Sequence, residues 1–274
     1  MYYRHDLNYK YPDRPDEHMI TVDRKKPLEL TADYPFIDKS FRFKLLRSIY
    51  WLLVTGVVFP LMRFTHGLKI HGKENLKKHK NELKNGGITI SNHVFYWDYL
   101  CVLKAIRPHL AYFPAWKDNM EGPNRNLIRM SGGIPIPTDN FRAMGKFNKA
   151  IEEVLESGKW LHFFPEGSMW LFYPDIRPFK KAVFSYAVKF DKPIVPIAMS
   201  FRPRKGILRL FSKKPAVDMN IGEPIYPNKE LPRREAEEEL RARAYRIMQN
   251  MCGIDESSPT YNVDQDPDKY KKTM

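Results

Sequence analysis

Residues 87–106 read GITISNHVFYWDYLCVLKAI and join a short buried strand to a helix. The segment 87–91 is apolar and β-branched, as is typical of a strand, and the segment 99–106 has the apolar content of a helix. His93 and Asp98 lie between the two. Because α/β sheets place ligands beyond the carboxyl ends of their strands, this junction is the first candidate for a functional site.

The remainder of the chain alternates between helical and strand-like patterns. We predict helices at 141–156, 183–190 and 233–251, strands at 160–164 and 193–199, and a terminal hairpin formed by 207–211 and 216–221. Alternating strands and helices predict an α/β fold, with a mostly parallel twisted sheet covered by helices on both faces.

Four regions follow from composition. Residues 1–40 are polar and rich in proline, which predicts an extended arm, and residues 41–65 form an apolar and basic helical segment. Residues 66–254 hold the α/β domain, and residues 255–274 form a polar C-terminal tail.

The apolar run 49–62 is about 14 residues long, which is short for a bilayer span. No run of about 18 or more apolar residues is present, which argues against a conventional spanning helix. Two interpretations stay open. The run is either a core helix or an interfacial helix whose Trp51 and Phe59 enter lipid while neighbouring arginines contact phosphates.

The charge balance indicates a polyanionic partner. Lys and Arg total 46 and Asp and Glu total 32, so the net charge is +14. Such an excess suits nucleic acid, an anionic membrane surface or a phosphorylated substrate. No nucleic-acid motif accompanies the basic stretches, so we do not expect nucleic acid as the partner. A non-catalytic basic protein that binds lipid or nucleic acid stays open as the less favoured alternative. The two cysteines are too few for a disulfide framework, and the polar N-terminus has no secretory signal.

His93 and Asp98 form a His-x4-Asp motif at the end of a strand. A histidine can remove a proton from an alcohol, and a carboxylate one helical turn away can fix its tautomer and stabilise the imidazolium. His18 and Asp23 have the same spacing, but they lie in the proline-rich arm, where we expect a polar pair without a catalytic part.

A second motif, Phe-Phe-Pro-Glu-Gly-Ser, occupies residues 163–168. A buried strand here runs into a Pro-Glu-Gly turn, so Glu166 leaves the same sheet edge as His93 if the two strands are parallel. Gly167 would let the backbone approach a ligand closely. We therefore expect His93, Asp98 and Glu166 to converge.

The order of four motifs resembles that of the glycerolipid acyltransferases, in particular the 1-acyl-glycerol-3-phosphate (lysophosphatidic acid) acyltransferases. These motifs are Asn92-His93…Asp98, Gly133-Ile134-Pro135-Ile136, Phe164-Pro165-Glu166-Gly167 and Pro193-Ile194-Val195-Pro196. The similarity covers about residues 68–225, and the stretch 178–182 also looks like the family's segment between its third and fourth motifs.

The resemblance implies acyl transfer from a thioester, either acyl-CoA or acyl carrier protein, to the hydroxyl of a lysophospholipid. His93 would act as general base, Asp98 would orient it and Glu166 would bind or position the acceptor. Gly167 and nearby backbone N–H groups would be candidates for stabilising the oxyanion. We expect no cofactor besides the thioester cosubstrate, and no metal, because the other histidines of the domain show no ligand spacing: His66, His71, His79, His109 and His162. Cys101 lies on an apolar helix, where we expect a core residue.

Departures from the family pattern concern the acceptor. The family's second motif usually ends in arginine where this chain has Thr138, and its third motif usually reads Phe-Pro-Glu-Gly-Thr-Arg-Ser where this chain has Ser168 and Met169 after Gly167. Either other basic residues replace these arginines, or the acceptor lacks a phosphomonoester. The expected acceptor- or substrate-binding residues are Asn92, Gly167, Ser168, Thr138, Arg142, Lys180 and Lys181, with Lys146 and Arg177 as further candidates for replacing the arginines.

A lysophospholipid acceptor implies docking to a membrane. We expect a monotopic protein on the cytoplasmic leaflet, held by the apolar run and by attraction of its basic residues to anionic lipids.

Overall fold

The computed structural model describes residues 7–24 and 27–255. The predicted tail from residue 256 onward lies outside the described residues. One seven-stranded sheet forms the centre of the domain. Its strands are β1 (Lys69–His71), β2 (Ile88–Ser91), β3 (Ala111–Ala115), β4 (Gly133–Pro135), β5 (Trp160–Phe163), β6 (Ile194–Arg202) and β7 (Ala216–Ile221).

The strand order is β1-β7-β6-β2-β5-β3-β4. Strands β2 to β6 are mutually parallel where they pair, and within residues 7–24 and 27–255 the β6–β7 pair is the only antiparallel strand pair. At the centre, Ile90 of β2 is in register with Phe163 of β5. The chain therefore leaves both strands at the same edge, immediately before Asn92 and Phe164.

Helices cover both faces of the sheet. They are α1 (Phe41–Leu53), α2 (Phe59–Thr65), α3 (Lys73–Lys78), α4 (Asp98–Ala105), α5 (Lys117–Glu121), α6 (Arg125–Ser131), α7 (Phe141–Glu156), α8 (Ala182–Lys189) and α9 (Arg233–Met251). One apolar cluster includes side chains of α1, α2 and α4, and a second cluster includes side chains of α7, α8 and α9. The predicted fold class, a mostly parallel sheet covered by helices, is confirmed.

Helices α1 and α2 join through a π turn, Val54–Val58, into one N-terminal helix, Phe41–Thr65. Pro60 has no N–H to donate to the turn before it, and the π turn takes up this defect. This helix is long and apolar enough to cross a membrane. That statement rests on length and composition alone: helical residues on both sides of the run 49–62 extend it, so the helix is longer than the apolar run indicated.

The predicted hairpin is also wrong. Its first half is a 3₁₀ helix, Gly206–Leu210, and β7 pairs with β6 instead. The exposed side chains of Ile207 and Leu210 explain the error, since a run of apolar residues need not be buried. Three short strands escaped prediction: β1 is polar, β3 contains Pro114 and β4 has only three residues.

Residues 7–24 of the arm lie on the domain without regular helix or strand. Their aromatic rings pack against the segment that follows Glu166: Tyr9 stacks on Phe172 and Tyr11 stacks on Trp170. The Tyr11 hydroxyl donates to the Leu171 carbonyl at 3.1 Å. The arm thus runs along the edge of the sheet where the candidate site lies.

Candidate active site

Asn92 and Asp98 fix the position of His93. The Asn92 side chain donates to the Met199 carbonyl and accepts from the Met199 N–H, each at 2.8 Å, which ties the end of β2 to β6. Asp98 opens α4 and is fully buried. Its Oδ2 lies 2.6 Å from His93 Nδ1 and also accepts from the Val94 N–H at 3.0 Å.

This geometry selects one histidine tautomer. A carboxylate oxygen accepts, so Nδ1 of His93 carries the hydrogen and Nε2 presents a lone pair. The ring stacks on Phe164 with a centroid distance of 4.0 Å and keeps 22% of its side chain exposed. His93 therefore has the orientation that a general base requires, with its reactive nitrogen beyond the edge of the sheet.

Glu166 reaches the same edge, but its carboxylate is enclosed. Oε1 accepts from the backbone N–H of Arg177 at 2.9 Å. Oε2 accepts from the backbone N–H of His93 at 3.1 Å and from the Arg177 guanidinium at 2.7 Å. The predicted convergence of His93, Asp98 and Glu166 is present in the structure. Glu166 holds the backbone of His93, and the predicted direct contact with an acceptor stays a prediction.

Arg177 and Ser168 surround Glu166. Arg177 is buried and donates to the Ser168 hydroxyl at 2.6 Å as well as to Glu166. The guanidinium therefore does not replace the family arginines at an accessible position. Ser168 is equally buried, so its hydroxyl contributes to this internal network.

Gly167 adopts the left-handed conformation, with φ of 80°, in the turn after Glu166. Its N–H donates to the Phe164 carbonyl at 3.0 Å and closes that turn. The expectation that this N–H stabilises an oxyanion is therefore not met. A β-carbon at Gly167 would lie 2.8 Å from Lys180 Nζ, which places the exposed Lys180 side chain directly over the turn.

Three other residues predicted to bind the acceptor are exposed and lie on different elements: Thr138, Arg142 and Lys181. Thr138 follows β4, and Arg142 lies in the first turn of α7. Lys181 forms an ion pair with Glu238 of α9. Of the neighbouring residues Lys180 and Lys181, Lys180 is the one that lies over the turn containing Gly167.

Two other histidines lie at the site: sequence analysis did not place His162 there, and it set His18 aside as part of a polar pair in the arm. His162 of β5 is buried beneath it, with Nδ1 2.9 Å from the Thr89 hydroxyl. Burial lowers the pKa of His162 to about 3, and His93 acts in the same direction when it is protonated. His18 of the arm stacks on Trp116 at a centroid distance of 3.9 Å. Alternation along β5 could have indicated His162, whereas the His18–Asp23 spacing did not indicate the contact of His18 with Trp116.

Cys101 is fully buried on α4, as expected, and burial raises the pKa of its thiol well above the ordinary value. Among residues 7–24 and 27–255, no three His, Cys, Asp or Glu side chains are grouped as a metal site would require.

The fold and this site define an α/β protein with an oriented His–Asp pair at the carboxyl edge of a parallel sheet. The Acyltransferase family model matches residues 67–200. The matched residues contain all four motifs, and the match supports the resemblance at the level of the Acyltransferase family.

The crystal structure of the 1-acyl-sn-glycerophosphate (LPA) acyltransferase PlsC from Thermotoga maritima matches with a TM-score of 0.48 and 22% identity. The match covers 77% of this chain and 84% of that chain. No curated protein sequence matches the chain.

Proposed function

We propose that this protein transfers a fatty acyl group from a thioester donor, acyl-CoA or acyl carrier protein, to the hydroxyl of a lysophospholipid. The observation that carries this proposal is the His93–Asp98 pair, whose 2.6 Å contact leaves Nε2 of His93 free as a base. No cofactor is needed, because a thioester is already activated toward acyl transfer.

In the proposed reaction, Nε2 of His93 takes the proton from the acceptor hydroxyl as the oxygen attacks the thioester carbonyl carbon. The tetrahedral intermediate then collapses, the carbon–sulfur bond breaks and the thiolate takes the proton from His93. Asp98 stabilises the imidazolium formed between these steps. Glu166 and Arg177 keep the His93 backbone in place throughout.

The family resemblance makes 1-acyl-glycerol-3-phosphate the first acceptor to test, with phosphatidic acid as product. A second candidate is an acceptor without a phosphomonoester. Three observations favour it: Thr138 and Met169 occupy the family's arginine positions, and Arg177 is engaged by Glu166. A doubly charged phosphate favours bidentate arginine contacts, which these positions do not offer.

The N-terminal helix supports a monotopic arrangement at a membrane. One face packs on the domain from Arg47, which donates to the Met130 carbonyl at 3.0 Å, to the buried Met62. A helix fixed along its own domain is not free to cross a bilayer. Its other face exposes large apolar side chains, among them Leu45, Leu46, Ile49, Leu52, Leu53 and Val57.

The 3₁₀ helix Gly206–Leu210 extends this apolar face. Phe211, which follows it, contacts Phe64 of the N-terminal helix with ring centroids 5.8 Å apart. Leu210 is 84% exposed, and Lys205, Arg209 and Lys213 lie around it. Apolar side chains with basic neighbours suit the interface of an anionic bilayer, such as the cytoplasmic leaflet.

A thiol-release assay with acyl-CoA and acyl carrier protein donors tests the proposed activity. The acceptor panel contains lysophospholipids with and without a phosphomonoester, presented in anionic vesicles. We expect acceptor-dependent release of thiol and formation of the diacyl product. Thioester consumption that no acceptor accelerates would contradict acyl transfer.

A further inference from the structure

The N-terminal arm is bonded to the residues that support His93. Arg177, which donates to Glu166, also donates to the Pro15 carbonyl at 2.8 Å. Trp170, whose backbone N–H donates to the His93 carbonyl at 3.0 Å, donates through its indole N–H to the Glu17 carbonyl at 2.9 Å. Arg177 and Trp170 therefore hold both the surroundings of His93 and the arm.

These bonds bring His18 to the rim of the site. The His18 ring lies nearly parallel to Trp116, with an interplanar angle of 10°, while the residue keeps an exposed side. Farther along the arm, the Arg24 guanidinium donates to Asp118 at 2.7 Å, so a second contact joins the segments that contain His18 and Trp116.

The surroundings of His18 are basic. Partial burial and the positive charges of Lys180, His93 and Arg177 lower its pKa, whereas Asp118 acts in the opposite direction. A neutral imidazole offers one hydrogen-bond donor and one acceptor and carries no charge. Since Arg177 is buried, the exposed charged group contributed by this cluster is the Lys180 ammonium.

We propose that residues 15–24 form one wall of the acceptor pocket and that the His18 imidazole hydrogen-bonds the acceptor headgroup. This inference rests on the proposed acyl transfer and assigns His18 as a specificity-determining residue. One ammonium and one neutral imidazole match a headgroup with at most one negative charge and a hydrogen-bonding group, such as a phosphodiester bearing hydroxyls. They match a dianionic phosphomonoester less well.

Substitutions at His18 test this assignment in the full chain. His18→Phe keeps an aromatic ring on Trp116 but removes the hydrogen bond, whereas His18→Gln keeps a hydrogen-bonding amide. Asp13→Asn, at an exposed position of the arm outside residues 15–24, is the matched control. For each variant we would measure kcat and KM for the thioester, for a phosphodiester lysophospholipid and for 1-acyl-glycerol-3-phosphate.

We expect His18→Phe to raise the KM for the phosphodiester acceptor about 5- to 10-fold, with the thioester KM and kcat within about twofold of wild type. His18→Gln and Asp13→Asn should stay closer to wild type. An acceptor KM that His18→Phe leaves unchanged would overturn the inference while wild-type turnover upholds the proposed function. If the wild type shows no acceptor-dependent turnover at all, both the proposed acyl transfer and the inference about His18 are contradicted.

A second variant, Arg24→Ala, loosens the arm at Asp118 without changing His18. We expect it also to raise the acceptor KM. Faster turnover in Arg24→Ala would instead identify the arm as an obstruction over the site and would overturn its assignment as a pocket wall.

Discussion

Arg177 and Glu166 form a buried ion pair, with the guanidinium 2.7 Å from Oε2 and the Arg177 backbone N–H 2.9 Å from Oε1. Both side chains are almost inaccessible to solvent. Since Oε2 also accepts from the His93 N–H, the pair connects the turn after β5 to the loop after β2.

Replacement of Arg177 by methionine should destabilise the fold, because it leaves the Glu166 carboxylate buried and unpaired. We expect the free energy of unfolding to fall by about 3–5 kcal/mol, measured by urea denaturation. Arg142→Met, at an exposed position of α7, should change it by less than about 0.5 kcal/mol. Equal stabilities of the two variants would show that the ion pair does not support the fold.

His93→Ala and Asp98→Asn should each lower kcat by about 10²- to 10⁴-fold, since the first removes the base and the second removes the carboxylate that orients it. Thiol release measures the loss. His109→Ala is the control, because His109 lies just before β3, at the opposite edge of the sheet, where it stacks on Trp160. Turnover that survives in His93→Ala would refute the general-base role.

Lys180 and Lys181 allow a test by neighbouring substitutions. Lys180→Gln should raise the KM for a charged acceptor several-fold, because its ammonium lies over the Gly167 turn. Lys181→Gln should leave that KM unchanged, since Lys181 pairs with Glu238 on α9. Steady-state kinetics with charged and uncharged acceptors separate the two outcomes, and equal effects would contradict the placement of Lys180 at the acceptor.

His162 should make stability depend on pH. Its pKa is about 3 in the folded protein, below its ordinary value of 6.5, so below pH 6.5 the unfolded chain binds a proton that the folded one does not. Stability from this group is complete above pH 6.5 and declines by roughly 1 kcal/mol per pH unit as the pH falls toward 3.

Urea denaturation between pH 7.5 and 5 measures this decline. His162→Gln should reduce the slope of the unfolding free energy against pH by the contribution of about one proton. The remaining slope reflects other histidines such as His66, because burial and nearby cations lower the pKa of His66 to about 4. An identical slope in wild type and variant would contradict the assignment.

Binding to anionic vesicles should depend on the exposed apolar face. Leu52→Glu on the N-terminal helix and Leu210→Glu on the 3₁₀ helix should each reduce co-sedimentation several-fold, because each places a negative charge in the interface. Phe141→Glu is the control: Phe141 is also exposed, but it begins α7, whose buried side chains pack in the other apolar cluster. Equal binding by all variants would exclude this docking surface.

The sequence predicted the features that depend on local patterns. Helices α7 and α9 have the predicted bounds because their apolar residues recur at helical spacing and caps mark their ends. The convergence of His93, Asp98 and Glu166 was predictable because two strands leave a parallel sheet at one edge. The resemblance then indicated the chemistry.

Features that depend on distant contacts escaped prediction. The full engagement of Glu166 requires Arg177, which lies 11 residues further along the chain. The position of His18 requires Trp116, and nothing in the spacing of a proline-rich arm indicates that partner. For the same reason, 207–211 looked like a strand although it exposes its apolar side chains.

The bond from Arg177 to the Pro15 carbonyl has a practical consequence for work on this protein. An affinity tag fused before the arm would be continuous with a segment that contacts Arg177. Removal of the first two dozen residues would also remove the residues that we propose as one wall of the acceptor pocket. Recombinant preparations should therefore carry the tag at the carboxyl end, and trimmed versions should be assayed against the intact polypeptide before their kinetics are compared.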